Sequence, residues 1–269
     1  KQNATEEYNG TSWSEQNDMN TARRYILGSG TQTSTLAYGG YTTTNTANVE
    51  SWDGTNWTEV GDLNTARQHL RSAGQTNTSA LAFAGEITNV SALTESWNGT
   101  AFTEVADLGI ARAYVAQAGA GNTSALCSGG YAPPSNSTAT EQWTANVPIG
   151  AWATSADMNN TNFGMGGDGA VTTAISSGGA NTPSDKTSKC ETFNGTSWTE
   201  QSSMNTRKYF GENSGNSTAG LAFGGEPADP GRADSETFNG SSWTEAADLN
   251  TGRESISGSG TQTAGIAVA

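Results

Sequence analysis

Basic residues, cysteine, histidine and long apolar runs are all scarce in this chain. Lysine and arginine together number 12 against 26 acidic residues, for a net charge of −14. Nucleic acid and anionic membranes both require a basic footprint, so neither is expected as a partner. Two cysteines, Cys127 and Cys190, cannot build a disulfide framework and read as small buried residues on strands. One histidine, His69, cannot assemble an imidazole-rich copper centre and is expected on the surface or in a channel. No apolar run approaches the roughly 18 residues that would span a bilayer, and no secretory leader is evident. The first residue is lysine rather than methionine, the expectation for a processed product or an excerpt. Hydrophobic residues make up only 33%, a value compatible with disorder or with many short strands. The regular placement of eight Trp, seven Tyr and seven Phe decides for a folded chain.

What the chain has in abundance is one hairpin, written again and again. Aromatic, Asn/Asp-Gly-Thr/Ser and a second aromatic recur as Tyr8 to Trp13, Trp52 to Trp57, Trp97 to Phe102, Phe193 to Trp198 and Phe238 to Trp243. A sixth, altered copy has Trp143 and Trp152 flanking a longer loop without Asn-Gly. Glycine and asparagine tolerate positive φ, and the aromatics can pair across two antiparallel strands. The first aromatics fall at 8, 52, 97, 143, 193 and 238, at intervals of 44, 45, 46, 50 and 45, the period of a propeller or solenoid. Within one unit a small-residue strand ends near Gly30, a second strand at 36–38 ends at Gly39-Gly40, and a polar loop at 41–48 follows. A third strand at 49–52, the Asp53-Gly54 turn and a fourth strand at 57–60 complete it.

These marks resemble the kelch repeat: a Gly-Gly doublet after the second strand, a spaced aromatic pair, and an Arg before the next first strand. The doublet stands at Gly39-Gly40, Gly129-Gly130, Gly178-Gly179 and Gly224-Gly225, with Ala84-Gly85 as a near miss. The Arg stands at Arg23, Arg67, Arg112, Arg207 and Arg253, with Asn162 in its place in the fourth unit. The resemblance covers essentially the whole chain and implies an all-β, six-bladed propeller of four-stranded antiparallel blades, the first strand of each nearest the axis. The wording of the repeat, Trp-Asn-Gly-Thr-x-Trp-Thr-Glu with Asp-Leu-Asn-Thr-Ala-Arg, further resembles kelch-type proteins of aquatic bacteriophages and marine bacteria. That narrower resemblance implies a virion-associated or extracellular protein.

The residues agree with such a propeller. First strands are rich in Gly, Ser and Ala, as suits strands converging on an axis. An apolar residue stands three places after each Arg position: Ile26, Leu70, Val115, Met165, Phe210 and Ile256. The blades are expected at about 23–63, 67–108, 112–157, 162–204, 207–249, and 253–269 joined to 1–19, so that the two chain ends complete the sixth. Closure of this kind leaves no sheet edge free. On one face the loops at 41–48, 86–94, 131–140, 180–189 and 226–235 vary in length and hold Pro133, Pro134, Pro183, Pro227 and Pro230, whereas turns on the other face are uniform. Divergent loops on a rigid scaffold mark the first face as the contact surface.

Arg23, Arg67, Arg112, Arg207 and Arg253 have two readings. They could ring the channel mouth and hold carboxylate or sulfate groups. Alternatively they neutralise the repeated pairs Glu6/Glu15, Glu50/Glu59, Glu95/Glu104, Glu191/Glu200 and Glu236/Glu245, like charges set opposite one another on paired strands. Calcium on these pairs is a weaker idea, because the carboxylates are nine residues apart on strands rather than clustered in a loop. No metal or other cofactor is expected. Tyr41 and Tyr131 open variable loops and are candidates for stacking on a ligand, as are Tyr25, Tyr114 and Tyr209 at the mouth. The hairpin aromatics read as packing residues, and no nucleophile, base and orienting group stand out together. The expected function is non-enzymatic recognition or attachment, with a glycan or protein bound at the variable-loop face and other virion subunits as further partners. The alternatives are a purely structural assembly component and, more remotely, a glycan-active enzyme.

Overall fold

Six sheets of antiparallel strands close into a ring in the computed structural model, which describes residues 2–145, 150–226 and 231–268. The loop prolines Pro227 and Pro230 lie outside the described residues. The inner strands are Leu27–Thr31, Arg71–Thr76, Ala116–Gly121, Phe163–Asp168, Glu212–Asn216 and Ser257–Thr261. Each packs against the next, and the last against the first. The fold is the expected six-bladed propeller. Its sixth blade joins the C-terminal strands Ser257–Thr261 and Ala264–Val268 to the N-terminal strands Thr5–Tyr8 and Trp13–Glu15. No helix among the described residues is long and apolar enough to cross a membrane.

The hairpins explain the outer half of each blade. Tyr8 pairs with Trp13, Trp52 with Trp57, Trp97 with Phe102, Phe193 with Trp198 and Phe238 with Trp243 in direct register. The altered third hairpin preserves the pairing, Trp143 opposite Trp152. Asn9 Oδ1 accepts from the backbone N–H groups of Thr11 and Ser12, both at 3.0 Å, while Gly10 alone takes the left-handed backbone, at φ 89°. Asn and Asp therefore serve as side-chain caps of the turn, and glycine supplies the conformation. Cross-strand aromatic pairs then fill the seams between blades: Trp13 meets Phe223 of the fifth blade edge to face at 5.1 Å, and Tyr38 meets Phe102 of the second at 5.9 Å.

The Gly-Gly doublets stitch blade to blade. Gly40 N donates to Arg67 O at 2.9 Å, Gly85 N to Arg112 O at 3.0 Å and Gly225 N to Arg253 O at 2.7 Å. A Cβ on Gly39 would stand 2.7 Å from Arg67 O, so the position has no room for a side chain. Cys127 and Cys190 are buried and unpaired with each other.

Candidate functional site

The repeated arginines do not ring the channel mouth. Arg23, Arg67, Arg112 and Arg253 are buried inside their blades, at most 1% exposed, where each meets a third-strand glutamate, Glu50, Glu95, Glu141 and Glu6 respectively; Glu141 stands opposite Thr154 rather than a second glutamate. The glutamates also accept backbone N–H groups from the inter-blade link. Glu50 Oε2 takes Asn20 N at 2.7 Å, and Glu95 Oε2 takes Asn64 N at 2.7 Å. Of the two readings of the Arg positions, the neutralising one describes these four side chains. A carboxylate buried against its neighbour strand needs a cation and hydrogen bonds at once, and a guanidinium supplies both.

Arg207 is a register error. Gly179 N donates to Lys208 O at 2.7 Å, the bond that Gly40 makes to Arg67, so Lys208 is the equivalent residue. Lys208 is buried and pairs with Asp234, whereas Arg207 is exposed. The sequence Asn205-Thr206-Arg207-Lys208, aligned with Asn64-Thr65-Ala66-Arg67, carried that signal. The same one-residue shift puts Phe210, not Tyr209, in the place of Tyr25, and Gly211, not Phe210, in the place of Ile26. In the fourth unit Asn160 takes over the arginine's task, donating Nδ2 to Glu191 at 2.9 Å. Asn162, in the arginine's place, donates to Gly178 O and reaches no carboxylate among the described residues.

The residue two places after the Arg position forms a ring around the axis: Tyr25, His69, Tyr114, Gly164, Phe210 and Ser255. All six have left-handed backbones, with φ between 53° and 66°. Backbone bonds link them around the mouth: His69 N to Tyr25 O, Gly164 N to Tyr114 O, Phe210 N to Gly164 O and Ser255 N to Phe210 O. For non-glycine residues this conformation costs on the order of 1–3 kcal/mol each, a cost that concentrates at sites held by their surroundings. The result is an aromatic cluster over the axis on the variable-loop face. His69 lies 4.1 Å from Tyr25 and 4.4 Å from Tyr114, Phe210 lies 5.7 Å from Tyr114, and Tyr209 stacks on Phe210 at 3.9 Å. Tyr25, His69, Tyr114 and Phe210 are only half-buried, so ring surface faces outward.

Charges frame these rings. Arg24 stands over Tyr25 at 4.8 Å and over Tyr41 at 5.1 Å, and Lys186 lies 5.5 Å from the ring of Tyr209 while pairing with Glu226. Tyr41 therefore joins the mouth. Tyr131 is half-buried in its own loop, paired with Asn136, and makes no ring contact with the cluster. Burial, with Arg71 and Arg24 nearby, pushes the His69 pKa down to about 3, so the imidazole is neutral. Burial raises Tyr114 and Tyr209 above the usual phenol range, Glu86 and Glu226 adding to the effect. Beneath the rings is a cavity of about 20 Å³ lined by Tyr25, His69, Tyr114, Phe210, Ser255 and Arg71.

Arg71 shows where the repeat is broken, and reading the repeat alone missed it. It occupies the place of Leu27 at the start of the second inner strand. From there it crosses the axis, donating Nε to Val115 O at 2.7 Å and a terminal nitrogen to Met165 O at 3.0 Å, and lying 3.4 Å from Glu212. Glu212 is buried, accepts from Gly167 N and Asn213 N, and has its pKa raised by burial against the pull of Arg71. Below this bolt Asp168 accepts from Gly169 N at 2.7 Å and Gly215 N at 2.9 Å; its depth in the channel pushes its pKa up to about 8, although the residue is only half-buried. Asp168 borders a funnel of about 520 Å³ that opens on the uniform-turn face, lined by Gly30, Gly74, Gly169, Gly215, Gly260 and the adjoining Thr, Gln and Asn residues. The signal was present: Arg, Glu and Asp stand at inner-strand positions where the other units carry small or apolar residues.

No family model matches the chain, and no curated protein matches it. Among solved structures, that of YjhT, a kelch-repeat protein, superposes over 87% of this chain and 87% of its own, with a TM-score of 0.73 at 11% identity. The likeness and the blade topology together make this chain a six-bladed, kelch-like β-propeller.

Proposed function

We propose that this protein is a non-enzymatic recognition module that captures a glycan at the aromatic mouth of its variable-loop face. The observation that carries the reading is the half-exposed cluster of Tyr25, His69, Tyr114 and Phe210, held over the axis by a left-handed backbone ring and bordered by Arg24 and Lys186. Sugar rings present C–H faces that stack on aromatic surface, while their hydroxyls require charged or amide partners at the edge. Arg24, Glu86, Lys186 and Glu226 supply such groups. Rigid strands hold the platform, which keeps the entropic cost of binding low. His69 is neutral and, among the described residues, has no carboxylate hydrogen-bonded to it to orient the ring, which is poor equipment for acid–base work. With the resemblance to kelch-type proteins of aquatic bacteriophages and marine bacteria, this supports a virion-associated or extracellular attachment role.

A glycan array followed by saturation-transfer NMR tests the reading. Wild-type protein should retain a glycan with contacts mapping to the Tyr25 and Tyr114 rings, and the double variant Tyr25→Ala/Tyr114→Ala should lose it while keeping its far-ultraviolet spectrum. If electron microscopy of the native particle instead shows this face buried against another subunit over about 1,000 Å² or more, the protein is an assembly component.

A further inference from the structure

Arg24 is a cation without a carboxylate in a chain that has acid to spare. Nine lysines and arginines among the described residues form ion pairs, and only Arg24 and Arg207 do not. With 26 acidic residues against 12 basic ones, an unpaired arginine is the exception. Arg207 is exposed on an inter-blade link. Arg24, also exposed, is laid over two rings at the mouth, 4.8 Å from the centre of Tyr25 and 5.1 Å from that of Tyr41. Its backbone is tied to Tyr41 in both directions, Arg24 N to Tyr41 O at 3.2 Å and Tyr41 N to Arg24 O at 2.8 Å.

The scaffold does not require this cation. The same backbone pairing is made by Gln68 with Glu86, Ala113 with Tyr131, Phe163 with Ala180 and Tyr209 with Glu226 in the next four blades, and none of those positions equivalent to Arg24 is basic. Two rings restrict the guanidinium, and its N–H groups donate to no acceptor among the described residues. The neighbouring acids are already engaged. Glu86 hydrogen-bonds Tyr114, and burial pushes its carboxyl pKa up. Glu226 pairs with Lys186, and Glu212 with Arg71. Burial, Arg71 and Arg24 together hold His69 neutral, so the Arg24 charge acts on the aromatic cluster as well as on solvent.

We infer that the glycan captured at this mouth is acidic, its carboxylate or sulfate held by the Arg24 guanidinium while the sugar face stacks on Tyr25 and His69. The inference rests on the proposed reading of the mouth as a glycan site. A planar fork of N–H donors matches either oxyanion, and rings that already fix the fork reduce the entropy lost on binding. Glu86 stands across the cluster beside Tyr114, where it accepts from hydroxyls and repels an anion. Charge therefore gives the ligand one orientation over the axis.

A glycan array that includes oligogalacturonates, their methyl esters, sulfated galactosides and the unsulfated parents tests it. The esters and parents keep the sugar and delete the charge. Charged members should be retained at least about tenfold more strongly than their uncharged counterparts. That gap should shrink as sodium chloride is raised from about 50 to about 500 mM, and the pair that shows it tells a carboxylate from a sulfate. Arg24→Gln should erase the gap and Arg24→Lys restore part of it, whereas Arg207→Gln, which deletes the same charge elsewhere, should leave it intact. Equal retention of charged and uncharged members, or a gap that survives Arg24→Gln, overturns the acidic assignment and leaves glycan capture standing. Retention of no glycan, or retention that Tyr25→Ala/Tyr114→Ala does not affect, overturns both.

Discussion

Buried arginine–glutamate pairs are the internal struts of four blades, and Arg67 with Glu95 allows their contribution to be isolated. Both side chains are at most 1% exposed, and Glu95 additionally accepts from Asn64 N at 2.7 Å and Asn64 Nδ2 at 3.0 Å. Replacing Glu95 by Leu strands a cation with no water to solvate it, a loss of about 3–5 kcal/mol. It also orphans a backbone N–H, adding about 1–3 kcal/mol. Arg67→Met strands the carboxylate instead, again at about 3–5 kcal/mol. The double variant removes both charges and retains only the Asn64 loss, so it should be no worse than either single change, with a coupling energy of roughly 3 kcal/mol or more. Urea unfolding of the four proteins, monitored by tryptophan fluorescence, measures the cycle. Additive losses in the double variant, or single losses below about 1 kcal/mol, would refute the view that each arginine exists to neutralise its glutamate.

Other outcomes follow from the same geometry. Gly39→Ala would force a Cβ to within 2.7 Å of Arg67 O at φ +65°, and a loss above about 2 kcal/mol in the same assay is expected. Thr5→Val removes the acceptor of Trp57 Nε1, a 2.9 Å bond joining the sixth blade to the first. It should cost about 1–3 kcal/mol and raise hydrogen exchange in the terminal strands. His69 has its folded pKa near 3, below the unfolded value of 6.5, so the unfolded chain binds the extra proton between them. Its contribution is complete above pH 6.5 and is lost as pH falls, by at most about 1.4 kcal/mol per unit. His69→Phe should flatten that part of the stability profile, and an imidazole titrating near pH 6.5 by NMR would contradict the burial argument.

Local sequence carried most of the architecture. The six aromatic hairpins, the Gly-Gly doublets and the terminal half-blades are each set by short-range chemistry: turn residues with left-handed backbone, alternation along strands, and a period that leaves the two ends complementary. Hence the strand register Trp52 to Trp57 and the joining of Thr5–Tyr8 to Ala264–Val268 are legible in the sequence itself. The altered third hairpin was legible as well, because Trp143 and Trp152 kept their spacing from the rest of the unit.

Side-chain direction and cross-axis contact were not. Whether Arg67 points to solvent or into its blade depends on a carboxylate 28 residues away that only strand pairing brings alongside. The dipeptide Arg207-Lys208 offers two candidates for one position, and only the bond from Gly179 to Lys208 decides between them. Arg71, Glu212 and Asp168 stand out in the repeat as charges at small-residue positions, but they come from three blades and are brought together only because the ring closes, so their partnership is not written in any one unit. Sequence alone determined a six-part ring with hairpins at its rim, because those features depend on residues within one repeat. Tertiary structure decided which charges are buried, which aromatics gather over the axis, and where the channel opens, because these depend on residues from different blades converging on a common axis.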